Sequence, residues 1–239
     1  MNLLFVLLQD VATNVPPVAD GQGGGESYLS LLMKGGLIMI PLFLLSLLAI
    51  YIIIDRWFVI RKMGKKDSSW LSRVMELIYE NKTEKALKFA LEKPYASGKV
   101  VAAGLKEGDD ASLEDIENAM QIESRQQISV MEKLMNYLGI TASIAPMLGF
   151  LGTIFGVIKI FYNISVQGDI QISTISEGLY EKMICSGAGL FVGIIAYAGF
   201  YILNGMIDKV VLRMDKDAND ALRAIKSGRN LAKTVKNED

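Results

Sequence analysis

Among the polar side chains inside or at the edge of long apolar runs of this 239-residue chain are Thr153, Glu181 and Ser186. A carboxylate in hydrocarbon costs several kcal/mol unless it is paired, hydrated or protonated, so it is either held by a partner or put to use. Glu181 and Ser186 are five residues apart, about 140° around a helix, and need not share a face. Both can still border a water-filled seam if their helix lines it together with the helix bearing Thr153. A narrow seam with one titratable group and two hydroxyls suits protons better than hydrated metal ions. A second reading of Glu181 stays open: an ion pair near the membrane surface, with Lys182 as its neighbour and Lys159 at the end of the preceding run. Lys159 can also snorkel its ammonium to the headgroups. Cys185 reads as a small packing residue.

The remaining composition removes other chemistries. There is no His and a single Cys, which excludes imidazole catalysis and an intrachain disulfide and leaves no soft-ligand set for a metal or cofactor. With 25 Lys and Arg against 26 Asp and Glu, the chain has no general attraction to nucleic acid. No nucleophile–base constellation and no phosphate-cradling Gly-Lys-Ser/Thr motif appears, so a soluble enzyme is disfavoured. The GQGGG run near residue 21 lacks the strand and helix that make a nucleotide loop.

The helices that must position the three polar groups are spans. Between Lys34 and Asp55 lie 20 residues without charge, and uncharged runs of 25 residues extend from Leu134 to Ile158 and from Met183 to Ile207. Each crosses a hydrocarbon layer of about 30 Å at ~1.5 Å per residue. Basic residues resist translocation, and they collect after the first span (Arg56, Arg61, Lys62, Lys65, Lys66) and after the third (Lys209, Arg213, Lys216). This predicts an N-terminus outside and a C-terminus in the cytoplasm.

The expected organisation is an outer-face segment over 1–34, spans over 35–60, 134–165 and 175–207, a cytoplasmic helical region over 61–133, a short outer loop over 166–174, and a cytoplasmic helical tail over 208–239. The opening MNLLFVLLQD lacks a basic start and a long apolar core, and reads as a retained interfacial helix followed by a loose tether, with a cleaved secretion signal as the alternative. In the cytoplasmic region Trp70, Val74, Leu77 and Ile78 share one helical face, as do Ala86, Phe89 and Ala90, before Pro94 and Gly98 break the pattern. Ser112 and Asp115 form a capping box that opens a stretch free of Gly and Pro to Tyr137, predicting one continuous stalk rising into the second span. Its apolar face is covered by self-association, by the helices of 67–92 folding back, or by both. The fold class expected is all-α, a polytopic membrane protein with three spans and long cytoplasmic helical extensions.

Small residues recur every three or four positions in the second span (Ala142, Ala145, Gly149, Gly152, Gly156) and in the third (Gly187, Gly189, Gly193, Ala196). Such faces let membrane helices approach closely. Gly149, Gly152, Gly156, Gly189 and Gly193 are therefore expected at helix packing or partner contacts.

The segments APMLGFLGTIFGVI (Ala145 to Ile158) and EGLYEKMICSGAGLFVGIIAY (Glu177 to Tyr197) resemble the second and third spans of the ExbB/TolQ/MotA motor-channel family, with ExbB most similar. The resemblance covers nearly the whole chain in span order and orientation, although only the two span motifs are specific. It implies that Glu181 is the pore glutamate, Thr153 the second-span threonine and Ser186 the counterpart of a third-span threonine. Lys182 occupies a place usually small or apolar in the family, and Lys159 has no expected counterpart. The resemblance further implies a homopentamer with a central pore, around a dimer of a single-span ExbD-like partner whose membrane aspartate carries protons. It would be an inner-membrane proton-channel subunit acting through a TonB-like protein on outer-membrane transport. A TolQ-like role in envelope maintenance, a MotA-like role in motility, and a non-conducting membrane scaffold are the alternatives.

Overall fold

The computed structural model describes residues 38–236 apart from 66, 67, 81, 109 and 168–171; inside the helices, the side chains of 68, 167, 173, 174, 177, 181 and 230–236 are likewise outside the description. The expected outer-face helix and tether over 1–34 therefore lie outside the described residues. So does the centre of the loop joining the second and third spans.

Every regular element among the described residues is an α-helix. In chain order these are α1 Met39–Met63, α2 Ser68–Tyr79, α3 Thr83–Glu92, α4 Ala96–Lys106, α5 Leu113–Glu132, α6 Met135–Gln167 and α7 Ile172–Lys236. Three stretches are long and apolar enough to cross a bilayer, in α1, in the α5–α6 region and in α7. Their outer faces carry Phe43, Phe58, Met147, Phe150, Phe155, Phe191 and Ile194 exposed, the surface expected where lipid or neighbouring helices replace water. Exposed Tyr51, Trp57, Tyr137, Tyr197 and Tyr201 gather at the end of the spans next to the charged helices, as interfacial aromatics do. The chain is a multi-pass membrane protein.

The third span and the tail are one 65-residue helix, so the core runs from membrane to charged region without interruption. It joins Ile52 and Ile60 of α1 and Leu203 and Ile207 of α7 to Trp70, Val74, Val100, Ile116, Met120, Met131, Met214 and Ile225. The face predicted from Trp70, Val74, Leu77 and Ile78 is buried throughout, with Trp70 Nε1 donating to the Phe89 carbonyl at 3.2 Å.

Two features differ from the sequence reading. Gly98 does not end a helix: only 93–95 interrupt, and Gly98 lies in α4, where a Cβ would stand 2.5 Å from the Ala90 carbonyl oxygen. Gly104, also in α4, sits directly against Met120 and Ile116 of α5. The glycines thus let α4 lie close on α3 and α5, and the apolar face of α5 is covered by α4 and the tail of α7, not mainly by the helices of 67–92. The Asp217 carboxyl of the tail lies near Ser97 in the first turn of α4. Burial pushes its carboxyl above the usual range, against the lowering pull of Ser97 and of Arg213.

The second difference is in the stalk, which is not continuous. α5 stops at Glu132, Leu134 takes the left-handed backbone conformation with φ 68°, and α6 starts at Met135. In an unbroken helix the Val130 carbonyl would accept the amide of Leu134. Here it accepts Arg56 Nη1 of α1 at 2.9 Å. Arg56 is buried and pairs with Asp55, so a guanidinium from the first span replaces the missing backbone donor.

The capping box is present as expected: Asp115 N donates to Ser112 Oγ at 3.0 Å, and Ser112 N donates to the Asp115 carboxylate at 3.2 Å. Removing a cap of this kind costs about 1 kcal/mol. Ser112→Ala is therefore expected to speed hydrogen exchange at the Asp115 amide about fivefold and leave amides in the middle of α5 unchanged, as read by exchange mass spectrometry.

Candidate functional site

α6 and α7 form the most extensive helix pair in the molecule, and it is built on small residues. A Cβ on Gly149 would stand 3.1 Å from Gly189 Cα and from the Cys185 and Ser186 carbonyl oxygens; one on Gly189 would stand 2.7 Å from the Ala145 oxygen and 2.8 Å from Gly149 Cα. Further along, Gly152 meets Cys185 Sγ, Gly156 meets the Lys182 side chain, and Gly178 meets Ile160. In the other direction Gly193 meets Pro146, and Gly139 meets Phe200. Residue numbers rise along α6 as they fall along α7, so the two helices are antiparallel and in backbone contact at the centre.

Pro146 suits this contact. Lacking an N–H, it leaves the Ala142 carbonyl without its helical donor, and that oxygen lies 3.2 Å from where a Cβ of Gly193 would be. The five glycines singled out from sequence, Gly149, Gly152, Gly156, Gly189 and Gly193, are all buried and spent within the chain on this seam. A partner helix would meet other faces. α1 and its N-cap residue Ile38 close one edge of the seam, where Ile38 approaches Gly152 and Ile53 meets Gly199.

The hydroxyls lie on the opposite edge. Thr153 and Ser186 each follow a seam residue by one position, Gly152 and Cys185. In an antiparallel pair of right-handed helices, one step forward turns both side chains to the same side. Both are half-buried. Thr153 Oγ1 donates to the Phe150 carbonyl at 2.6 Å, which leaves its lone pairs available to water or to a donor in the seam. Cys185 is buried against Gly152, in the packing place expected for it.

Of the charged candidates, Lys159 is exposed and Lys182 half-buried over Gly156. Glu181 belongs to α7, one residue before Lys182, and its side chain lies outside the described residues. No cluster of carboxylates and Cys that could hold a metal occurs among the described residues. Sequence reasoning missed Arg56 as a structural residue, because a basic side chain just after an apolar run reads first as an orientation signal. A lone Arg with Asp55 beside it at the mouth of a span was the only hint.

The profile of the MotA/TolQ/ExbB proton channel family matches residues 92–216, more than half of the chain and all of α4, α5 and α6. The chain belongs to this family. An ExbB-like biopolymer transport protein of Synechocystis is 29% identical over 175 residues, covering 72% of this chain and 68% of the relative. The biopolymer transport protein exbB1 of Vibrio cholerae is 24% identical over 200 residues, covering 81% and 86%. The Tol-Pal system protein TolQ of Haemophilus influenzae is 22% identical over 198 residues, covering 77% and 87%. The family match includes both sides of the glycine seam and the two hydroxyls beside it. It leaves out α1, which supplies Arg56, and the α2–α3 pair.

Proposed function

We propose that this protein is an inner-membrane proton-channel subunit of a TonB-type motor. With a single-span ExbD-like partner it converts proton flow into motion passed through a TonB-like protein to outer-membrane transport. The observation that carries the reading is the pairing of Thr153 and Ser186 on the edge of the α6–α7 seam not closed by α1. There they can order water or meet a partner's carboxyl group: Ser186 Oγ can donate to it, and Thr153 Oγ1, whose proton goes to the Phe150 carbonyl, can accept from its protonated form. Glu181 serves as the pore-lining relay, the chain assembles as a homopentamer around a partner dimer, the N-terminus faces the periplasm, and the charged helices lie in the cytoplasm.

The energy suffices: each charge crossing ~100 mV releases about 2.3 kcal/mol, and a few protons can rearrange loosely coupled helices. The work is done at interfaces between chains, because the seam inside one chain is too tightly closed to slide.

The test is purification from native membranes with whatever single-span companion accompanies the chain, followed by reconstitution into vesicles with a potassium diffusion potential. Proton uptake that needs the companion and falls at least tenfold in Glu181→Gln, and severalfold in Thr153→Val combined with Ser186→Ala, is expected. No companion and no uptake would leave the scaffold reading standing. The identity of the companion, ExbD-like or TolR-like, separates the TonB-type role from the TolQ-like one that the Haemophilus relative keeps in view.

A further inference from the structure

Lys182 has no evident role in the packing of an apolar seam, yet the seam is shaped around it. Its Cγ, Cδ and Cε all lie where a side chain on Gly156 would be, so Gly156 works as a seat for the lysine stem. A lysine here is expensive in hydrocarbon unless its ammonium reaches water. Side chains of a helix tilt toward its N-terminus, which for α7 is the outer end in the reading proposed above. The stem therefore runs outward along the seat and delivers the charge toward the outer mouth.

The position matters because of what lies one turn below. Lys182 precedes Ser186 by four residues, and Gly156 follows Thr153 by three. Each pair occupies one stripe of its helix. The ammonium accordingly stands one turn outward of the two hydroxyls. Around it, α6 adds the exposed Lys159 at the same end, the described part of α1 as far as Ile54 carries no charge, and the nearest carboxylates along α7, Glu177 and Glu181, have side chains outside the described residues.

From this placement we infer that Lys182, seated on Gly156, is a specificity-determining residue: a fixed cation at the outer entrance that turns away hydrated alkali ions from the Thr153–Ser186 stretch. A proton reaches the hydroxyls along hydrogen-bonded water without a whole ion passing the ammonium, whereas sodium must come past it. Two unit charges about 7 Å apart at a wet protein boundary repel enough to change occupancy roughly tenfold or more. The inference rests on the channel reading and gives that channel its cation selectivity.

The experiment measures proton uptake and sodium uptake side by side in vesicles holding the full chain with its copurified companion. Lys182→Met keeps the stem and removes the charge. It is expected to raise the ratio of sodium to proton uptake about tenfold, Lys182→Gln to do the same, and Lys182→Arg to stay near the wild type. Gly156→Ala, which takes the seat, is expected to fall between. Proton uptake with an unchanged sodium ratio in both Met and Gln variants overturns this inference alone. A wild type that takes up no protons overturns the channel reading and this inference with it. Size-exclusion profiles of each variant separate lost assembly from altered selectivity, and a Met variant that fails to assemble while Gln assembles with wild-type selectivity also overturns it.

Discussion

Gly189→Val is expected to abolish proton uptake and to lower the thermal midpoint of the purified complex by several degrees, whereas Gly187→Val, two residues earlier in the same span, should leave the midpoint within about a degree. The contrast follows from what each added side chain meets. At Gly189 even a Cβ would fall 2.7 Å from the Ala145 carbonyl oxygen and 2.8 Å from Gly149 Cα. Both are backbone atoms that no rotamer change can remove, so α6 and α7 must part. Overpacking of well-fitted cores costs about 1–3 kcal/mol and more where the obstacle cannot yield. The loss also spreads along the seam, because membrane helices are held by close contact and not by expulsion of water. At Gly187 nothing lies within 4 Å of the added carbon. Differential scanning fluorimetry on both variants reads the difference directly; equal midpoints would show that the antiparallel register through Gly149 and Gly189 is wrong. Proton uptake in Gly187→Val is a separate question, since that face is free to meet another chain.

The small-residue periodicity that marks this seam was legible in the sequence because it is a local signal: residues three and four apart share a helix face whatever lies opposite. The three spans, the buried face of Trp70, Val74, Leu77 and Ile78, and the Ser112–Asp115 box were legible for the same reason. What periodicity lacks is the identity of the opposing surface. Gly149 and Gly189 were equally compatible with a partner helix and with each other, and only the fold shows them touching. Gly98 was read as a break because glycine weakens a helix locally. The close contact with Ala90 and Trp70 that requires it lies beyond local reasoning. Likewise α4, short and small-residued, gave no sign that it covers α5. The hydroxyls could be picked out as polar groups in apolar runs, but their shared edge depends on the antiparallel pairing of Gly152 with Cys185.

The same limit explains the stalk, and it leads to the second large effect. Residues 112–137 contain no helix breaker, so local preference favours an unbroken helix, and the observed break at Leu134 must be stabilised from outside. A non-glycine residue in the left-handed region costs about 1–2 kcal/mol. The broken helix also gives up the bond between the Val130 carbonyl and the next turn, and Arg56 supplies the substitute donor. Removing a buried charged donor and leaving its acceptor unmatched costs about 2–3 kcal/mol. Arg56→Met is thus expected to lower the midpoint by several degrees and to loosen the joint, so that trypsin cuts after the exposed Lys133 several times faster. Arg56→Lys should recover only part of the loss, since an ammonium cannot hold both Asp55 and the Val130 carbonyl with the fixed fork of a guanidinium. Wild-type cleavage and midpoint in Arg56→Met would mean that packing of Met131, Met135 and Leu138 holds the break without it. If the effect appears, the first span is fastened to the stalk at the point where the stalk enters the second span. Any movement of the α6–α7 pair then reaches the charged helices through α1 as well as along α7, and the joint at Leu134 bends at a place set by a side chain 74 residues away from its acceptor.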